Sequence, residues 1–586
     1  MKFLGNVLAV IVGLFIFFMF FFFGIVLVGT VAGGGSDTVA VKSNSVIELD
    51  LAGVTNDYAG KSNYKDFDYF EAKHDGLSDV IKAIKAAKED DDIKGISILN
   101  NYSEIGVAQA KALRDQLEDF KQSGKFVLSY ASVYTQKDYY LSSVADKIYI
   151  NPVGNFDFKG LSSEIMFFKD LQEKSGIKIE VVRHGKYKSA VEPFLENKMS
   201  EANREQVSSL LFSIWNAFVT DISKSRNISS ERLNTIANGM LARTPEMAKA
   251  EKLVDIIAYE DDYHNEIRRR LKLGKDKKYN KISILDYAKN AATTTGDYSG
   301  GDKIAIIYAQ GEILSGEGDE SYIGEGSMRR ALQQARKDKN VKAIVLRVDS
   351  PGGSALTSDM IWRETELTRK VKPVMVSMGN LAASGGYYIA CNGNRIFAEE
   401  STITGSIGVF GMLPNLTQLS EKIGIHTEQV NTHPNAGGYS PLRPLDDSYR
   451  SFAQEEVERI YNTFVSRVAA GRKMTFQQVD NIAQGRVWSG SQAKEIGLVD
   501  EIGGLDDAIA AAAKAAKITK WKTQDYPEYE KDFGDLLSSL GLPFTSTESF
   551  LKKEVGEENY RLIEHMKKIT TKTGVQALMP FEIKIR

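Results

Sequence analysis

Hydrophobic and polar positions along this chain fall into three regimes. No charge interrupts residues 3–36, and the stretch 7–31 is nearly all apolar. A spanning helix needs about 20 such residues, whereas the core of a cleaved signal has about 7–15. Residues 7–31 are therefore expected to form a transmembrane anchor. Lys2 and the terminal amine favour a cytoplasmic N-terminus, which would put the rest of the chain across the membrane. After the flexible exit Gly33-Gly34-Gly35-Ser36, short β-branched runs alternate with amphipathic stretches. Strands are predicted over 45–51, 95–99, 303–308, 343–348 and 373–378, and amphipathic segments over 77–88 and 328–337. Longer helical stretches cover 200–223 and 447–470. Such alternation predicts α/β units with covered sheets. Beyond Lys517 the pattern fades, and residues 517–586 are expected to be a small appendage.

The alternation is written twice, at a constant offset of 248 positions. Ile93-Lys94-Gly95-Ile96 matches Val341-Lys342-Ala343-Ile344, and Asp138-Tyr139-Tyr140 matches Gly386-Tyr387-Tyr388. Glu173-Lys174-Ser175-Gly176-Ile177 still matches Glu421-Lys422-Ile423-Gly424-Ile425 at that spacing. The expected layout is a first repeat over 45–292, a polar joint over 293–301 and a second repeat over 302–516.

Composition narrows the function classes. The chain holds 586 residues, too many for one core, with 74 basic and 77 acidic side chains and a net charge of −3. That balance leaves no electrostatic footprint for nucleic acid. A single cysteine, Cys391, excludes an intrachain disulfide but does not identify the compartment. The six histidines show no HExxH or Cys/His spacing, so neither a metal nor any other cofactor is expected.

Chemistry concentrates in the second repeat. The strand near Val348 runs into Asp349-Ser350-Pro351-Gly352-Gly353-Ser354, where paired glycines let backbone N–H groups converge on an anion. From this motif alone an ordinary Pro-Gly turn reads as well. The strand over 373–378 leads into Ala382-Ala383-Ser384-Gly385-Gly386. Small residues there allow a sharp strand-to-helix turn that lifts Ser384 to a helix N-terminus, although a serine before a helix is by default an N-cap. The first repeat has Gln136 at the serine position. It carries Lys188, in GKYKSAVEPF, where the second has Ala436. A nucleophile candidate in one half and a base candidate in the other suggest one split active site.

DSPGGS, NLAASGGYYIA and TGSIGVFG together resemble the S49 family of serine peptidases, and the tandem arrangement with GKYKSAVEPF resembles its long form. The resemblance runs from the anchor to about Lys517. It implies an α/β spiral of Clp protease or crotonase type for each repeat, and a Ser–Lys dyad of Ser384 and Lys188. It also implies an oxyanion hole built from Gly352, Gly353 and Gly385, and Ser406 holding the lysine. The implied activity is membrane-anchored endopeptidase action on cleaved signal peptides and other short hydrophobic peptides. The implied setting is a homo-oligomer, such as a tetramer, on the periplasmic face of the inner membrane. Three alternatives stand beside it: an inactive scaffold or chaperone of the same fold, a crotonase-like acyl-CoA enzyme, and a Ser–His–Asp triad using His433.

Overall fold

The β-branched run Lys303–Gln310 and its relatives bury both faces, as strands of a covered parallel sheet must. The computed structural model describes residues 11–20, 39–64, 69–295, 301–531 and 575–579. In the first repeat six strands pair in parallel, in the order Ile256–Ile257, Lys147–Phe156, Phe126–Tyr134, Ile93–Leu99, Ser45–Glu48 and Asn280–Ser283. The second repeat rebuilds that core order with Val374–Ala383, Val341–Ser350, Lys303–Gln310 and Lys522–Tyr526. Thus Lys522–Tyr526 completes the second sheet as Asn280–Ser283 completes the first, and this sheet extends past residue 516.

Helix burial repeats with the sequence. Val80, Ala83, Ile84 and Ala87 of Leu77–Glu89 are buried, and so are Met328, Ala331, Leu332 and Ala335 of Glu325–Lys337, each 248 positions later. The i, i+3, i+4 spacing puts each set on one helix face against its sheet. The long predicted helices are Glu201–Arg226, capped by Ser200, and Asp447–Arg472, capped by Asp446.

The repeats share structure rather than merely adjoin. Ala383 and Val487 of the second lie in the first repeat's core cluster. Arg347 forms a buried ion pair with Asp57 at 2.6 Å and donates to the Ser377 hydroxyl and the Met378 carbonyl. Most consequentially, the first-repeat strand Lys178–His184 leaves its own sheet. It pairs antiparallel with Val409–Asn415 of the second repeat through seven successive residues, Val409 facing His184.

Of the expected anchor, residues 11–20 are helical with exposed side chains, and the remainder of 7–31 lies outside the described residues. Among the described residues no helix is long and apolar enough to cross a membrane.

Candidate active site

Ser384 stands between the strand Val374–Ala383 and the short helix Gly385–Ala390, with φ 56° and ψ −116°. A non-glycine residue in this region stores of order 1–3 kcal/mol of strain and persists only where its surroundings over-determine it. Here its N–H donates to the Gly405 carbonyl at 2.8 Å, and Gly385 and Gly386 leave room for the turn. The hydroxyl makes no capping bond to the helix. Instead it lies within hydrogen-bonding distance of Lys188 Nζ, at 2.9 Å. The N-cap expectation therefore fails for a geometric reason: at this backbone angle the side chain faces the other repeat.

Lys188 reaches Ser384 because the Lys178–His184 strand carries it there. Past that strand, the loop holding Tyr187 and Lys188 is gripped by the second repeat. The Tyr187 N–H donates to the Gln484 carbonyl at 2.8 Å, and from the first repeat's own long helix Gln206 Nε2 donates to the Tyr187 carbonyl at 3.0 Å. Gly485, at φ +78°, lies so close that a Cβ there would sit 2.7 Å from Lys188 N, Cα and Cβ. The side-chain nitrogen donates to Ser406 Oγ at 2.9 Å and to the Ser406 carbonyl at 3.2 Å. Its three partners are hydroxyls and a carbonyl, and the side chain is fully buried. Burial disfavours the charged form with no carboxylate to offset it, so the pKa is held well below the usual lysine value. A neutral amine against a serine hydroxyl can take that proton.

The glycine pair follows the strand Val341–Ser350 and opens the short strand Gly352–Ser354. Gly352 donates its N–H to Ser350 Oγ at 3.1 Å, which leaves Gly353 and Gly385 as the N–H groups free of such a side-chain bond. Gly352 contributes space: a Cβ there would lie 2.6 Å from Gly385 N. At the strand's end Asp349 is half-buried and accepts from the Leu381 N–H at 2.9 Å and from Asn380 Nδ2 at 3.0 Å. Burial, reinforced by nearby Asp57, pushes its carboxyl up to about 7.

The first repeat lacks this chemistry. Gln136 fills the serine position, and its amide oxygen accepts the N–H groups of Lys159 and Gly160 at 3.1 and 3.0 Å. His433 is exposed, with Nδ1 3.1 Å from the neighbouring Thr432 hydroxyl, and Lys188 rather than His433 meets Ser384. Among the described residues no cluster of three or more His, Cys, Asp or Glu is placed to hold a metal. Sequence reasoning missed Gln484 and Gly485, whose only local signal is a glycine between a helix and a strand.

The model of Peptidase family S49 matches twice, over residues 119–274 and 366–519. "Protease 4" of Haemophilus influenzae is 37% identical over 532 residues, covering 87% of this chain and 86% of its own length. A protein named "Putative signal peptide peptidase SppA" of Enterococcus faecium is 34% identical over 253 residues, 42% of this chain and 73% of its own. Among solved structures, a point mutant of ClpP1 from Listeria monocytogenes aligns with 35% of this chain and 94% of its own, at 16% identity and a TM-score of 0.24. That score is too low to carry an argument.

Proposed function

The chain belongs to Peptidase family S49 and is a serine protease, and from that premise we propose that Ser384 is its nucleophile and Lys188 its general base. Neutral Lys188 takes the hydroxyl proton as Ser384 Oγ attacks the substrate carbonyl carbon. The N–H groups of Gly353 and Gly385 hold the resulting oxyanion, and Gly352 supplies the space for it. As the C–N bond breaks, the Lys188 ammonium returns its proton to the leaving amine. Water, deprotonated by the same lysine, then releases the acyl group from Ser384. Ser406 positions the lysine through both its hydroxyl and its carbonyl. The observation that carries this reading is the buried, uncharged-partner contact of Lys188 with Ser384 at 2.9 Å.

The substrates are short hydrophobic peptides, cleaved signal peptides among them. The name of the Enterococcus faecium relative supports that class, and so does the apolar run 7–31. A chain anchored by that run on the periplasmic face of the inner membrane would meet apolar peptides where they partition. Several copies assemble, enclosing the sites so that folded proteins are excluded.

A serine-directed phosphonate probe with intact-mass detection tests the assignment. Ser384 should be the labelled residue, and Lys188→Ala should lose labelling while keeping its circular dichroism. Labelling of Ser384→Ala to the wild-type extent would overturn it.

A further inference from the structure

Two helices of the second repeat bound a cleft that shares no residue with the Ser384–Lys188 site. On Ala355–Arg369, Trp362, Glu366 and Arg369 follow the i, i+4, i+7 spacing of one face, with Arg363 and Lys370 one position on. On Asp447–Arg472, Arg459, Thr463 and Arg467 recur every four residues. Gly471 lets this long helix close on the turn after Gly385–Ala390, since a Cβ there would stand 2.3 Å from the Cys391 carbonyl oxygen. The cleft measures about 680 Å³, inside the range of roughly 300–1,000 Å³ that small-molecule sites occupy.

Its charge is lopsided. Arg363, Arg369, Lys370, Arg459 and Arg467 line it, against one lining carboxylate, Glu366. Glu366 pairs with Arg369 at 2.6 Å and Lys370 at 3.7 Å, Glu456 with Arg459 at 2.6 Å, and Asp359 with Arg467 at 3.3 Å. Three carboxylates thus face five cations, and Arg363 has no hydrogen-bond or ion-pair partner among the described residues. Two positive charges are left over, and cations converging on one cleft repel unless an anion joins them. Two polar atoms of the wall are unsatisfied as well. Trp362 Nε1 and Asn392 Oδ1 are buried with no hydrogen-bond partner among the described residues, a cost that a bound group removes. Arg467 lies over the Trp362 ring, 3.8 Å from its centre.

We propose that this cleft binds a small phosphomonoester. Such a phosphate carries about −1.5 to −2 charge at pH 7, which matches the two cations left over, and it offers three acceptor oxygens to guanidinium forks. Arg363 and Arg459, on opposite walls, take the phosphate. Arg467 turns from the Trp362 ring toward it, which opens the indole N–H to a phosphate oxygen. Asn392 Oδ1 then accepts from a hydroxyl of the organic part.

Isothermal titration of the full-length protein in detergent with glycerol 3-phosphate, at fixed ionic strength, tests this. Wild type should bind one molecule per chain. Arg363→Gln and Arg459→Gln should keep the wild-type circular dichroism, and each should weaken binding by about tenfold or more, the loss of one charge-assisted contact. Lys339→Gln, exposed and outside the cleft, should bind as wild type does. No saturable binding, or binding unchanged in both arginine variants, would overturn the proposal. Succinate bound as tightly would mean a site for dianions in general, and mixed micelles carrying phosphatidylglycerol bound in preference would mean a lipid surface site. Either result refutes it.

Discussion

Gly485 is 101 residues from Ser384 and outside every motif, yet its replacement by alanine should cripple the enzyme. At φ +78° an added Cβ would stand 2.7 Å from Lys188 N, Cα and Cβ, where ordinary contacts begin at 3.4 Å. Two of those atoms are rigid backbone, so the loop must retreat by roughly 0.7 Å or more. Lys188 Nζ sits 2.9 Å from both Ser384 Oγ and Ser406 Oγ, and such a retreat takes it beyond hydrogen-bond range of one or both. Misplacement on this scale costs about 10²-fold in rate, or about 2.7 kcal/mol on the barrier. The left-handed backbone adds a stability cost of roughly 1–2 kcal/mol. Gly424→Ala separates the two effects, because Gly424 has φ +80° but nothing within 4 Å of the added Cβ. Measuring kcat/KM on a peptide ester together with urea unfolding, we expect both variants to lose stability, Gly485→Ala the more because of its clash, and only Gly485→Ala to lose activity. A Gly485→Ala enzyme within threefold of wild type would refute the clamp.

Other predictions concern charge. Lys188 must be neutral to act, so kcat/KM should fall as pH drops through its depressed pKa. Between that pKa and the free-lysine value near 10.5, the unfolded chain binds a proton that the folded chain does not. Stability should therefore rise with pH across this window. Lys188→Met should abolish activity, remove that slope and stabilise the protein, as urea titrations at several pH values would reveal. Asp57→Ala leaves Arg347 buried without its carboxylate and should cost about 3–5 kcal/mol in the same unfolding assay. A loss under about 1 kcal/mol would mean that the hydroxyl and carbonyl contacts of Arg347 suffice.

Local patterning determined much of this protein. Alternating β-branched runs and amphipathic stretches specify parallel α/β sheets because burial of one face follows directly from residue spacing. The 248-residue offset located the two repeats, and the small residues around Ser384 marked a turn that only they permit. Gln136 at the counterpart of Ser384, and Ala436 at the counterpart of Lys188, already implied that neither repeat is complete.

What tertiary structure decided is how the halves meet. Nothing in Lys178–His184 announces that it leaves its own sheet for Val409–Asn415, because strand pairing is a long-range choice among edges of similar propensity. The lysine's depressed pKa likewise depends on burial by residues hundreds of positions away. The tail was expected to be an appendage because the alternating pattern fades beyond Lys517, and Val575–Leu578 is only four residues long. Its place beside Gly352–Ser354 follows from two open strand edges that exist only after the repeats have joined.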